Sequence, residues 1–126
     1  MNGTVRWRGY VRVKNKNKAL ERFNTMRNLI GTEASLISCE QYWKIKELYE
    51  IEFTTAWSYD AVEKVVFDVL ILSQKLQNGW IVNGPHVYQN GVVEMEGLFN
   101  SDGQSTKVPN LEWMLYQLHI ETGTGS

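Results

Sequence analysis

Cysteine is nearly absent from this chain: Cys39 is the only one in 126 residues. A lone cysteine excludes an internal disulfide framework and a cysteine-rich zinc site. Proline is almost as scarce, with two residues, and no low-complexity tract occurs, so a linker or a fibrous protein is excluded. No apolar run reaches the roughly 20 residues that a membrane-spanning helix needs. The longest, from Val65 to Leu72, is broken by Asp68. The opening residues, Met1 to Arg6, carry no apolar signal region and no small-residue cleavage site, so the expectation is a cytoplasmic protein. Phosphate-binding glycine loops, nucleophile elbows and HExxH zinc motifs are missing as well.

What is present suits a folded globule. Hydrophobic residues make up 43% and charged residues 21%, too apolar a balance for disorder. A chain of this length fits one domain and should bury roughly two-thirds of its unfolded surface. We place a single α+β domain over residues 1–121 and read the small polar residues 122–126 as a disordered tail. The net charge of −1 hides a strong asymmetry. Residues 1–30 hold eight basic side chains against Glu21 alone, a net +7, whereas the remainder nets −8. Such a split fits either a nucleic-acid-binding arm or two halves that neutralise each other in the fold.

Periodicity separates the elements. From Thr4 to Lys14, Val5, Trp7, Val11 and Val13 alternate with Arg6, Arg8, Tyr10, Arg12 and Lys14, which predicts a half-buried strand with a basic outer face. Gly9 falls on the apolar side and suggests a bulge or a close neighbour. Asn15 or Asn17 would cap a helix through Ile30, ended by Gly31. Two strands follow between Ala34 and Thr55, with the turn near Lys44 to Glu47 or, alternatively, near Cys39 to Gln41. Ser58 or Asp60 would cap a second helix, whose wide apolar face runs from Ala61 to Leu76. A short strand at Trp80 to Val82 precedes Asn90-Gly91, which carries the signature of a type I′ hairpin. A further strand holds Val93, Met95 and Phe99 inward and Glu94 and Glu96 outward. Asn100 to Pro109 reads as a polar loop. Leu111, Met114, Leu115 and Leu118 recur at helical spacing, so a last helix capped by Asn110 is expected, with His119 near its end. The order β-α-β-β-α-β, with an extra hairpin strand and a C-terminal helix, predicts a ferredoxin-like antiparallel sheet covered by helices on one face.

In that arrangement the first strand is central, and its arginines lie beside Glu50 and Glu52 of the third strand and near Glu94 and Glu96. Opposite charges across strands contribute roughly 0.2–1 kcal/mol per pair. This lateral neutralisation explains the charge split without nucleic acid. It leaves a flat, charge-patterned face on which Glu50, Glu52, Glu94 and Glu96 are the candidate electrostatic contacts. Tyr10 and Trp43 are the candidate aromatic anchors. RNA binding through the basic strand fits less well: base stacking needs aromatics on the central strands, and only Tyr10 qualifies, beside two repelling glutamates. His86 and His119 have no Cys, Asp or Glu at metal-ligand spacing, and Glu40 beside Cys39 works against an activated thiolate. No catalytic residue, metal or cofactor is therefore assigned, and an enzyme is not expected. A small ligand-binding or enzymatic dimer of the same fold is the alternative.

The size, the abundance of Trp and Tyr and the surface acids bring a family to mind. So do the late segments Asn78-Gly79-Trp80-Ile81-Val82-Asn83-Gly84-Pro85-His86 and Val93-Glu94-Met95-Glu96-Gly97-Leu98-Phe99-Asn100. Together they resemble the small stand-alone immunity proteins of bacterial polymorphic and contact-dependent toxin systems. The resemblance implies a non-enzymatic inhibitor that occludes a cognate protein toxin, often a nuclease. The near-neutral net charge departs from the acidic balance usual for inhibitors of basic nucleases.

Overall fold

The computed structural model describes residues 2–121, and the expected tail at 122–126 lies outside the described residues. Eight elements follow one another: β1 (Asn2–Arg12), α1 (Lys16–Ile30), β2 (Ser35–Gln41), β3 (Leu48–Ser58), α2 (Val62–Leu76), β4 (Ile81–Val87), β5 (Val92–Asn100) and β6 (Leu111–Glu121). The six strands form one antiparallel sheet in the order β2-β3-β1-β6-β5-β4. The α+β class and the antiparallel sheet agree with expectation. The sheet has six strands, however, and no third helix exists among the described residues.

The alternation of β1 determines which face is buried. Val5, Trp7 and Val11 point towards the helices and are sealed from solvent. Trp7 stacks on Phe53 of β3 at 6.1 Å between ring centroids, lies 5.1 Å from Tyr116 of β6, and meets Trp80 edge-on. Its indole Nε1–H donates to Thr55 Oγ1 at 2.9 Å, so the buried polar atom is satisfied. The helices close this layer with Phe23, Met26 and Ile30 from α1 and Val65, Val69 and Leu76 from α2. Gly9 has the expected close neighbour: a Cβ there would sit 3.1 Å from the Met26 methyl. The β1–β6 register also shifts between Tyr10 and Val11, immediately after Gly9.

Local signals resolve several alternatives. Asn15 caps α1, its Oδ1 accepting from Lys18 N at 2.9 Å, and Gly31 takes φ +68° while its N–H donates to the Arg27 carbonyl. The β2–β3 turn occupies residues 42–47, matching the first of the two placements. Neither Ser58 nor Asp60 caps α2. Ser58 is the last residue of β3, and the cap position is Ala61, which offers no side-chain bond. The hairpin at Asn90-Gly91 is not type I′, because only Gly91 has positive φ. Gly91 N donates to Tyr88 O and Tyr88 N to Val92 O, the pattern of a three-residue loop closed by a left-handed glycine.

The principal correction concerns residues 111–121, expected to be helical and found as strand β6. Leu111, Met114 and Leu118 satisfy a helical period, but Met114, Tyr116, Leu118 and Ile120 also alternate, and all four are buried. The tie is broken by backbone pairing. Without β6 the facing edges of β1 and β5 would present unmet N–H and C=O groups, and β6 pairs with both. His119 is therefore not at a helix terminus; it lies on a strand. Among the described residues, no helix is long and apolar enough to cross a membrane.

Gly97 of β5 faces the Tyr116 ring, and a Cβ at that position would fall 2.2 Å from it. Gly97→Ala is expected to destabilise the fold by about 1–3 kcal/mol through overpacking, read as a lowered midpoint of urea unfolding. An unchanged midpoint would show that the ring moves freely.

Candidate protein-docking face

The sheet face opposite the helices is uncovered among the described residues, and strand register arranges its side chains in rows. One row runs His86, Glu94 and His119 across β4, β5 and β6. The next runs Asn83, Glu96, Gln117, Arg6 and Thr54. A third runs Ile81, Leu98, Leu115, Arg8 and Glu52, and a fourth places Asn100, Trp113, Tyr10 and Glu50 side by side. Each row is contributed by segments remote in sequence, so only the pairing creates it.

Charge neutralisation is concentrated on the β1–β3 seam. Glu52 accepts from Arg6 at 2.7 Å and from Arg8 at 3.2 Å, and its residue is only 9% exposed. Burial by itself would raise the Glu52 carboxyl, but the hydrogen bond and charge of Arg6, then the charge of Arg8, outweigh it and hold the group below its ordinary value. Tyr10 donates its hydroxyl to Glu50 at 2.6 Å. Burial and that acceptor together push the phenol far above its usual range. Tyr10 also stacks on Trp113 at 4.4 Å and meets Tyr42 at 4.9 Å, which leaves it buried although it lies on the open face. Arg12 finds a different partner, Glu112, at 2.6 Å, in the irregular register next to Tyr10.

The six expected contact residues therefore separate into two groups. Glu50, Glu52 and Tyr10 are engaged within the chain and form the floor of the face. Glu94 and Glu96 do not reach the arginines of the seam in any ion pair, because β6 lies between β5 and β1. Both are exposed, and Glu96 receives a single long bond of 3.3 Å from Asn83. They border a cleft of about 630 Å³ whose walls also carry Arg6, His86, Tyr88 and His119. Trp43 stands apart on the β2–β3 loop, 80% exposed, with the Lys44 ammonium 5.0 Å above its ring.

Sequence reasoning missed two features, the contribution of the last strand and an apolar row. Trp113, Glu112 and His119 belong to the face because β6 is a strand, and the alternation through Ile120 was the available signal. The apolar row Ile81–Leu98–Leu115 was invisible, since it exists only through cross-strand register; Ile81 and Leu98 remain exposed. Neither histidine joins a metal-binding cluster among the described residues. Cys39 is buried, and burial raises its thiol, in keeping with a structural side chain. Comparison of the chain with protein-family models, with curated proteins and with solved structures yields no match.

Glu52→Gln is expected to destabilise the protein by about 1–3 kcal/mol near neutral pH, because two guanidinium groups lose their shared charged acceptor. The folded-state shift of Glu52 is downward. Its contribution is therefore complete above the ordinary glutamate value of about 4.3 and is lost as pH falls through the lower folded value. Urea titrations across that acid window should show a smaller pH slope for Glu52→Gln than for the parent chain. Equal slopes would remove Glu52 as the group responsible.

Proposed function

We propose that this chain is a non-enzymatic protein-binding module, an immunity-type inhibitor that occludes the working surface of a cognate toxin. The observation that carries this reading is the uncovered sheet face, where the apolar row Ile81–Leu98–Leu115 is followed on one side by the row of Glu96 and then by that of Glu94, two carboxylates that no arginine neutralises. An apolar strip flanked by free charge of one sign is the composition of a docking surface, with burial supplying affinity and charge supplying register and encounter rate. The complementary partner surface is cationic. The strand order β2-β3-β1-β6 with two helices behind it supports a ferredoxin-like core, to which β4 and β5 add the acidic extension.

Two alternatives are less well supported. RNA binding would need the arginines of β1 for phosphates, but Arg6 and Arg8 are held by Glu52 and Arg12 by Glu112. A dimer that encloses a ligand between open sheet faces would need an apolar outer face, and this one carries Arg and Glu in its central rows.

The test is growth of cells that co-produce this chain and the product of the gene neighbouring its own. The parent chain is expected to restore growth. Glu94→Lys combined with Glu96→Lys is expected to slow association by about tenfold or more and to remove protection, with the salt dependence of the on-rate reduced. Protection by both chains alike would overturn the surface assignment, and protection by neither would overturn the immunity reading. Trp43→Ala should leave the unfolding midpoint unchanged, as befits an exposed ring, while raising the dissociation rate of the complex. An unaltered rate would remove Trp43 from the contact.

A further inference from the structure

The chain contains two histidines, and strand pairing brings both to one carboxylate. His86 of β4 stands opposite Glu94 of β5, and His119 of β6 stands opposite Glu94 from the other side. Directly opposed residues hold their Cβ atoms about 4.5–5.5 Å apart, so each imidazole shares the space around that carboxylate. All three side chains are exposed, and they border the cleft of about 630 Å³ together with Glu96.

The other charged and titratable groups facing this row come from every neighbouring element. β5 contributes Glu96, one row along. β6 contributes Glu121, whose carboxylate lies 3.4 Å from His119 Nε2. β4 contributes no further ionisable side chain, and His86 Nε2 meets the neutral Asn83 amide oxygen at 2.9 Å. The Tyr88 phenol borders the cleft from the β4–β5 loop. β1 contributes Arg6, whose guanidinium is already committed to Glu52, the carboxylate that also holds Arg8. Glu94, Glu96 and Glu121 thus make the local balance negative when the imidazoles are neutral. Two imidazolium charges in the same row offset most of it, at separations comparable with the screening length of about 8 Å at physiological ionic strength.

We propose that His86 and His119 gate the acidic end of the docking face by taking up protons. With both imidazoles neutral, Glu94 and Glu96 attract a cationic partner; with both protonated, that attraction is cancelled. The gate regulates the site proposed above and so rests on the docking reading. An ordinary imidazole takes up its proton at about pH 6.5 and an ordinary glutamate at about pH 4.3. Between about pH 7.5 and about pH 5.5, side chains of these two types therefore part company: imidazoles gain charge while carboxylates keep theirs. Proton uptake opposes a cation, so acidification acts in the same direction as Glu94→Lys. Association slows, and a partner held at neutral pH is released in a mildly acidic medium.

The experiment needs no partner. The ¹⁵N-labelled chain is titrated with the cationic nitroxide aminomethyl-PROXYL and with neutral carbamoyl-PROXYL, and amide relaxation is compared at Glu94, Glu96 and Gln117. The cationic probe is expected to be enriched about threefold at about pH 7.5, and the enrichment is expected to vanish by about pH 5.5, in step with the ring-proton shifts of both histidines. In the chain carrying His86→Gln and His119→Gln the enrichment is expected to persist at the lower pH. Each single substitution should retain about half of it, a readout that stands even if the double substitution fails to fold. Enrichment that persists in the parent at about pH 5.5, or that is lost equally in the substituted chains, overturns the gate and leaves the docking reading intact. No enrichment at about pH 7.5 removes the acidic end itself, and the docking reading then fails together with the gate.

Discussion

Strand β1 has neighbours on both edges and a packed layer of helices behind it, so its side chains have one open direction. Three arginines projecting in that direction from a single strand would repel one another if left unpaired. The fold places a carboxylate at each point of need: Glu52 between Arg6 and Arg8, and Glu112 beside Arg12. Tyr10 is fitted into the same ladder by donating to Glu50 and stacking on Trp113. This lateral neutralisation is what permits a basic strand to occupy the centre of an open sheet. Exposed ion pairs contribute little on their own, but a carboxylate that is largely enclosed and shared by two guanidinium groups is harder to replace.

The two sides of β1 thereby acquire different characters. Towards β3, charge is consumed within the molecule and the surface is locked. Towards β5, β6 interposes Gln117, Leu115 and His119 in place of arginine or lysine, and the glutamates beyond them enter no ion pair with the arginines of β1. The open face is thus neutralised at one end and acidic at the other.

How much of this was legible before the structure varied with the range of the interaction. The face of β1, the C-terminal glycine of α1 and the apolar stripe of α2 all follow from spacing over a few residues and were read correctly, while the cap of α1 was narrowed to Asn15 or Asn17, of which the structure uses Asn15. The prediction that arginines meet Glu52 also succeeded, because adjacency of the first and third strands follows from the β-α-β-β order. Residues 111–121 were misread since their apolar positions satisfy two periods at once, and no local signal separates them. The consequences extended into the site: Glu112, Trp113 and His119 were absent from the expected face, and Glu94 and Glu96 were placed nearer to the arginines than β6 allows.

The sequence alone determined which side chains of β1 alternate, the glycine that ends the first helix, and that opposite charges reside in different halves of the chain. These are local properties, governed by backbone preference and by the period of burial. Tertiary structure decided the rest: that the last segment is a strand, which glutamates are neutralised and which remain free, and that Ile81, Leu98 and Leu115 stand in one row. Those outcomes depend on which strands hydrogen-bond to which. That choice is settled by satisfying every exposed edge of β1 and β5 at once, a condition that no short stretch of sequence contains.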